Sequence, residues 1–479
     1  MPLRTILFAA WIVGAALACA QSDQQEQAGP QSQPDQPVQS VPATPAQPAQ
    51  PADESSPAQQ YEGPSISSRD KTLIGERGGK LLDFRVWAGV NGVYDSGIVP
   101  VSTDATGHIS SVPGSEGVEA SFGLSGSRQW QRDSLSIDYS GSFRHYANNS
   151  SYDGIDQFLN LRYGRILSRR ITLDIKETGG ISNLANGAYT YLPLTALDLA
   201  STPTNELFDN RTYYSTSRVA LIWKKSARLS LSVSGQGYIV RRASEALAGL
   251  NGYSGGADVA YRITRRQTIS LNYFYTYYDY QRVFGNANVQ TVSAGYSIGL
   301  GRRWDASFAL GGSYAGTTGE QQVAVSPAIV AIIGVPTITT TFNDHTVVPY
   351  GSAGIVRRFS RSAISLNATT GVSPGNGVYL TSKQTAASAS YSYIGLRHWT
   401  LGASFAFAQL SSIAQADLGK YDNYQAGVGA TYQIAPQMHM EFRYDYRHYS
   451  ANDGFYLKDS QRVSVGFAWS PGELPLAIW

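Results

Sequence analysis

The chain has 479 residues, with 37 Lys and Arg against 35 Asp and Glu and a formal net charge of +2. This balance gives no reason to expect a nucleic-acid partner. The mean hydropathy is -0.22, and beyond the N-terminus there is no run of about 18 apolar residues that would cross a bilayer as a helix. Composition therefore excludes a bundle of membrane helices but not membrane strands, because half of a barrel's side chains face water.

The first twenty residues have the pattern of an export signal. Arg4 precedes an apolar run, and Ala18-Cys19-Ala20 supplies small residues before a cut ahead of Gln21. We expect a signal peptide over residues 1–20, with lipidation of Cys19 as the alternative. Cys19 is the only cysteine, so a disulfide within the mature chain is excluded.

In the segment of residues 21–68, residues 21–60 are rich in proline and glutamine and contain almost nothing apolar larger than valine. Such a segment cannot bury a core, so we expect a disordered linker on the periplasmic side. It is either a spacer toward the cell wall or a tail without a further role. A charged lead-in follows over residues 69–80.

From Leu81 onward, apolar and polar residues alternate in short runs. Between Met438 and Tyr446, apolar or aromatic residues occupy every even position, whereas a histidine and three charged residues occupy the odd ones. A period of two indicates a strand, and an apolar face opposite a charged face suits lipid outside and water inside. We therefore expect an all-β fold, a closed antiparallel transmembrane β-barrel of about eighteen strands, roughly sixteen to twenty. A soluble β-sandwich or propeller is the alternative.

The predicted strands share this period and are close to the ~10 residues that a tilted strand needs to cross hydrocarbon. They cover residues 82–93, 118–126, 135–143, 158–167, 171–178, 213–223, 229–240, 255–263, 269–278, 292–301, 306–314, 347–356, 363–372, 386–394, 400–408, 424–434, 438–446 and 463–469.

Short connections alternate with longer loops along the predicted barrel, residues 81–469. The short ones cover residues 130–133, 168–170, 224–228, 264–267, 302–305, 359–362, 397–399 and 435–437. Because outer-membrane barrels keep tight turns inside, we expect periplasmic turns, long outer loops and both termini in the periplasm. Arginines dominate the turns, where they either hold strand ends among lipid headgroups or form a docking surface for a periplasmic partner.

The strand-turn-strand segment YRITRRQTISL, residues 261–271, resembles a largely uncharacterised bacterial family of outer-membrane β-barrel porins. The resemblance covers the whole predicted barrel and implies an outer-membrane location, pore formation and insertion by the barrel-assembly machinery. It also implies that an aromatic residue near the C-terminus is recognised during assembly. The candidates for that residue are Phe467, Trp469 and Trp479. We expect the wall to end at Trp469, because the tail over residues 470–479 contains two prolines, which cannot donate to a ladder.

Polar and charged residues lie opposite the apolar rows. The lumen-facing candidates are Asp138, Asn160, Arg162, Asp174, Lys176, Gln236, Asp258, Asn272, Glu441, Arg443 and Asp445. Such a mixed wall either wets a channel or pairs across strands and fills the interior, and about eighteen strands favour the channel. Three aromatic residues on the inward row, Tyr238, Phe274 and Tyr278, either stack sugars or pack.

Two long loops are candidates to narrow the lumen. The third outer loop, residues 179–209, is apolar for a free loop, and Asp198, Glu206 and Asp209 would face wall arginines such as Arg162 if it folds inward. Otherwise it packs over the outer mouth. The sixth outer loop, residues 316–345, carries an apolar run over residues 328–333, which would plug the lumen, line a gate, form a hairpin above the membrane or present an interaction patch.

Catalytic chemistry has little support in the sequence. Arg-His-Tyr steps at His145 and His448 recur at strand ends near carboxylates, a pattern that repeated turn chemistry explains without a hydrolytic role. His/Cys spacing gives no metal site, and no glycine-rich phosphate loop is present. We therefore expect no enzyme, no metal and no cofactor.

The function that these features favour is a passive channel for small polar solutes in the outer membrane. The alternatives are an export barrel for a polysaccharide and a structural or adhesive barrel with a closed interior. The oligomeric state stays open, with only the small residues around Ala386 to suggest a flat trimer face.

Overall fold

The computed structural model describes residues 81–96, 102–103, 109–110, 114–147, 153–183, 211–245, 247–301, 303–324, 337–413, 419–451, 456–470 and 473–477. The strands are β1 Leu81–Asp95, β2 Ser102–Thr103, β3 Ile109–Ser110, β4 Ser115–Gln129, β5 Asp133–Tyr146, β6 Gly154–Ser168, β7 Ile171–Asn183, β8 Arg211–Lys224, β9 Leu229–Arg242, β10 Gly249–Thr264, β11 Gln267–Gln281, β12 Gly285–Gly299, β13 Trp304–Ala324, β14 Thr337–Arg358, β15 Ser362–Ser373, β16 Ser382–Leu396, β17 Trp399–Ser412, β18 Lys420–Ala435, β19 Met438–Ala451, β20 Tyr456–Trp469 and β21 Glu473–Ala477. Among these residues, no helix is long and apolar enough to cross a membrane.

Eighteen strands, β1 and β4 to β20, form the wall of a closed antiparallel barrel. Each pairs with its neighbours in the wall, and the sheet closes because β1 pairs with β4 on one side and with β20 on the other. Closure leaves no edge strand within the wall, so backbone groups along the paired ladders are satisfied without water. The predicted fold class and strand number are confirmed.

The outer face of the wall is apolar and exposed. Leu310 and Val347 are 74% and 73% exposed, and Leu271 and Tyr273 of β11 also point outward. Between these two residues Asn272 points inward and is 1% exposed. A soluble protein would leave this much apolar area in water, whereas hydrocarbon accommodates it at no cost. The face therefore marks the surface that lies against acyl chains.

The two ends of the barrel differ. One end, here called the turn end, carries the tight connections at residues 130–132, 169–170, 225–228, 265–266, 300–303, 359–361, 397–398 and 436–437. The opposite end, the loop end, carries the remaining connections. The turn positions coincide with the short connections inferred from the sequence.

Several strands extend further toward the loop end than the alternation predicted. β13 continues to Ala324 and β14 begins at Thr337, and Gly316 to Ala324 pairs with Thr337 to His345. These residues, predicted to belong to the sixth outer loop, are therefore strand, and their pairing fits the hairpin among the alternatives for that loop. Apolar alternation stops where the outer face leaves hydrocarbon, but backbone pairing continues into the polar layer. The apolar run over residues 328–333 lies outside the described residues.

The C-terminal segment also pairs. β20 ends at Trp469, and the chain then continues as β21, whose residues pair with Leu81 to Arg85 at the start of β1. Pro475 lies opposite Asp83 in this register. Beyond the first wall strand, β2 and β3 form a short antiparallel pair that the alternation of residues does not predict.

Candidate functional site

The eleven lumen-facing candidates all lie on the inner face. The pairing between strands shows this: Asp138 lies opposite Asn160, and Asp258 lies opposite Asn272. Neighbouring residues in a register share a face of the sheet, so one inward position sets the next. The candidates nevertheless fall into two sectors of different character.

The sector formed by β9 to β12 is packed. Phe274, Tyr238 and Tyr278 on its inner face are 1%, 3% and 4% exposed, and the rings of Tyr238 and Tyr278 lie 6.0 Å apart. Their burial suits packing rather than an open track for sugars. They belong to, or adjoin, an apolar cluster at the loop end made of Tyr238, Val240, Leu250, Tyr278, Tyr280, Ala287, Val289, Ala315, Val348 and Val372.

A loop between strands that lie further along the wall, beyond β12, β13 and β14, covers this cluster. Residues 374–381, which join β15 to β16 and are called here the lumenal loop, reach across to β9, β10 and β11. The hydroxyl of Tyr280 donates to the carbonyl of Pro374 at 3.1 Å and lies 2.8 Å from the hydroxyl of Thr381. The backbone N–H of Ala248 donates to the carbonyl of Gly377 at 3.0 Å. Leu380 packs against the apolar cluster, so the loop narrows the lumen at the loop end.

The lumenal loop holds its own shape through one side chain. The Asn376 carboxamide oxygen accepts hydrogen bonds from the backbone N–H groups of Val378 and Tyr379, at 3.1 and 2.9 Å. Tyr379 is buried against Leu410 and Tyr421 on β17 and β18. Anchored at both sides of the barrel, this segment is a built element rather than a free surface loop.

This constriction differs from the predicted one. Asp198, Glu206 and Asp209 lie outside the described residues, and Arg162, which the sequence predicts to face them, donates to Asp174. The sequence SPGNG at residues 373–377 predicts a turn. Nothing in that composition distinguishes a turn in solvent from one that enters the lumen, so sequence reasoning missed it.

We expect Gly375→Ala to release the lumenal loop. Gly375 has a φ of +76°, and a methyl group there would collide with the carbonyl oxygens of Tyr379 and Leu380. Strain of about 1–3 kcal/mol should favour an undocked loop. Chymotrypsin cleavage after Tyr379, which is buried in the docked state, measures the change. Gly255→Ala on β10 is the control because its methyl group would meet open space, and cleavage no faster than in this control would contradict the docking geometry.

The sector that runs from β19 through β20, β1, β4 and β5 to β7 is charged, and its ion pairs on β6 and β7 and on β19 are partly exposed. Arg162 Nη2 lies 2.6 Å from Asp174 Oδ2, and their side chains are 32% and 14% exposed. On β19, Arg443 binds Asp445 through two hydrogen bonds, of 2.6 and 2.9 Å. Paired charges that keep contact with solvent offer both signs to a passing solute.

A denser set of charges spans the seam where the barrel closes. Arg462 of β20 reaches across β1 and donates to Glu119 of β4 at 2.6 Å. Arg144 of β5 lies 3.4 Å from the same carboxylate and also pairs with Asp156 of β6. We call Glu119, Arg144, Asp156 and Arg462 the closure network. Arg144 is 2% exposed, so its charge is neutralised by protein rather than by water.

The two predicted rim histidines lie on the outer face at the loop end. His145 Nδ1 is 2.6 Å from Asp153, and His448 Nδ1 is 2.9 Å from Asp459. Hydrogen bonds from His145 and from the backbone of Tyr146 outweigh the opposing effect of desolvation and lower the pKa of Asp153. Within the described part of the chain, no group of three or more His, Cys, Asp or Glu residues is arranged to hold a metal ion.

No protein-family model and no curated protein matches this chain. Solved structures with a similar fold include Pseudomonas aeruginosa OccK2 (OpdF) in complex with glucuronate, at 13% identity and a TM-score of 0.41, covering 82% of this chain and 100% of that one. P. aeruginosa OpdQ matches at 11% identity and a TM-score of 0.39, covering 82% and 98%. A BenF-like porin from Pseudomonas fluorescens Pf-5 matches at 11% identity and 0.39, covering 81% and 98%.

Proposed function

We propose that the protein is a channel of the bacterial outer membrane through which small polar solutes diffuse passively. The observation that carries this proposal is the divided interior, a charged and partly exposed sector beside a sector closed by the lumenal loop. Such an interior leaves a polar route along the wall that runs from β19 through β20, β1 and β4 to β7. An apolar outer face around it keeps that route separate from the lipid.

The route favours small solutes with polar or charged groups. The pairs Arg162–Asp174 and Arg443–Asp445 present guanidinium and carboxylate groups at its wall. A solute that exchanges hydration for these groups can pass without a large desolvation penalty, whereas apolar molecules gain nothing from the wall. No step in this passage requires a cofactor or a covalent intermediate, so the proposal includes no enzymatic activity.

The location and partners follow from the same proposal. The tight turns and both termini lie in the periplasm, and the barrel-assembly machinery inserts the chain. Phe467 and Trp469 on β20 are 52% and 45% exposed on the outer face, where that machinery could contact them. Trp479 lies outside the described residues.

Planar-bilayer recording tests the channel. Purified full-length protein should give discrete current steps in potassium chloride, and sugars should permeate in swelling assays with proteoliposomes. Absence of current from folded protein would instead favour the second candidate, a structural barrel with a filled interior. The burial of Arg144 and Arg447 on the inner face supports that candidate, because it shows that part of the interior is filled by side chains.

Ion selectivity should depend on Arg162 and Asp174. We expect Arg162→Gln to leave a net negative charge at the wall and shift the reversal potential in a salt gradient toward cation selectivity. Asp174→Asn should shift it toward anions. Arg165→Gln, three residues along on the outer face of the same strand, is the control. Equal reversal potentials in all four proteins would contradict a route along this sector.

A further inference from the structure

Exposed basic side chains crowd the turn end of the barrel. They belong to tight turns distributed around the perimeter, and six of them are called here the basic collar: Arg169, Arg170, Lys225, Arg265, Arg266 and Arg397. The turns between β4 and β5, β12 and β13, and β14 and β15 carry exposed arginines as well. Seven of the eight tight turns at this end therefore present positive charge, and the turn at residues 436–437 is the exception.

The turns do not need these charges for their own structure. The backbone N–H of Arg170 donates to the hydroxyl of Ser168 at 3.3 Å, and the N–H of Arg266 donates to that of Thr264 at 3.2 Å. These hydroxyls satisfy backbone groups in the turns, so the guanidinium groups remain exposed. Two carboxylates at this end, Asp133 and Asp305, already pair with Arg165 and Arg358, at 3.6 and 2.6 Å.

A ring of tryptophans lies next to the collar on the outer face. The tryptophan girdle consists of Trp130, Trp223, Trp304, Trp399 and Trp469, between 37% and 45% exposed. Guanidinium groups lie over two of its rings. Arg128 is 4.9 Å from the centroid of the Trp130 ring, and Arg357 is 4.5 Å from the centroid of the Trp304 ring. Tryptophan prefers the boundary between hydrocarbon and headgroups, so the girdle places the collar at phosphate depth.

We propose that the basic collar and the tryptophan girdle form a binding surface for the phosphate groups of anionic phospholipids in the leaflet that surrounds the turn end. A protein partner would need charge in one sector, whereas these residues recur on strands around the perimeter, as a surrounding lipid layer requires. A hollow of about 490 Å³ between the turns of residues 264–267 and 298–301, lined by Arg265 and Arg266, offers space for a headgroup. Among the loop-end residues that the structure describes, acidic ones such as Glu116 and Asp459 accompany the basic ones.

The inference rests on the proposed membrane location but not on conduction. The girdle tryptophans are themselves the probe, because bromine on acyl chains quenches tryptophan fluorescence on contact. Full-length protein is reconstituted into phosphatidylcholine vesicles in which either the phosphatidylcholine or an added phosphatidylglycerol is brominated. Trp87, inside the barrel, contributes unquenched background.

We expect phosphatidylglycerol to bind beside the girdle about fivefold more strongly than phosphatidylcholine, as expected when each bound lipid meets about one basic side chain. Replacing the six collar residues with glutamine should reduce the preference to near one. The control, Lys383→Gln with Lys420→Gln at the loop end, should retain it. Because the six-residue variant may fold poorly, wild-type protein in 1 M sodium chloride gives a second test, in which screening should weaken the preference.

Equal quenching by both lipids in the wild type, or a preference that survives in the collar variant, would overturn the inference. Equal quenching combined with salt-sensitive binding of polyglutamate would assign the collar to an acidic polypeptide instead. Absence of any quenching would reject both the inference and the membrane location. A lipid preference without ionic current would reject the proposed channel alone.

Discussion

Replacing the lumenal loop, residues 374–381, with a two-residue Asn-Gly turn should raise single-channel conductance several-fold. Ser373 and Ser382 pair directly at the ends of β15 and β16, so a two-residue turn can join them without disturbing the wall. Removal of the loop uncovers the apolar cluster around Tyr280 and widens the lumen at the loop end. Conductance follows the width and length of that part.

The control for loop removal changes an exposed side chain on the outer face at the same end. His145→Gln alters a residue whose side chain is 60% exposed and should leave conductance unchanged. Thermal unfolding in detergent should show that the loopless wall remains intact. A loopless barrel with wild-type conductance would contradict a constriction at residues 374–381.

Removing the central cation of the closure network should produce the largest loss of stability. Arg144→Met leaves Glu119 and Asp156 facing each other on the inner wall, with Arg462 as the nearest remaining cation in the network. Breaking a buried ion pair by removing one partner costs about 3–5 kcal/mol, because the desolvated partner is left without compensation. Guanidinium unfolding in lipid vesicles measures the difference.

Two further variants make this stability prediction specific. Arg358→Gln breaks a half-exposed pair with Asp305 at the turn end, and its cost should stay below about 1 kcal/mol. Adding Asp156→Asn to Arg144→Met removes one of the stranded carboxylates and should recover part of the loss. If Arg144→Met and Arg358→Gln destabilise equally, the network does not hold the seam.

The strand ends show why sequence reasoning found the inner candidates but missed the closure network. The strand predicted within β5 stops at Phe143, one residue before Arg144. The strand predicted within β20 begins at Val463, one residue after Arg462. Apolar alternation reports contact with hydrocarbon, and it fades near the loop end although the ladder continues there. Because alternate residues of a strand share a face, extending each predicted strand by one residue would have placed both arginines on the inner face.

The histidines show that a repeated sequence pattern need not mark a common site. His145 and His448 follow the same Arg-His-Tyr step and each binds a carboxylate. Their strands, β5 and β19, are separated in the wall by β20, β1 and β4. Each His–Asp pair is therefore a separate contact on the outer rim.

The amino-acid sequence by itself determines the wall of this protein. In a barrel surrounded by lipid, the environment of each strand residue depends on its parity and its depth, and both can be counted along the chain. Strand number, turn positions and the inner row follow from that count. Tertiary structure alone decides which loop enters the lumen and which inner charges meet. Those choices join residues far apart in the chain, such as Tyr280 with Thr381, separated by 101 positions, and Glu119 with Arg462, separated by 343. A local pattern carries no information about such contacts, because it is the closure of the sheet that brings these residues together.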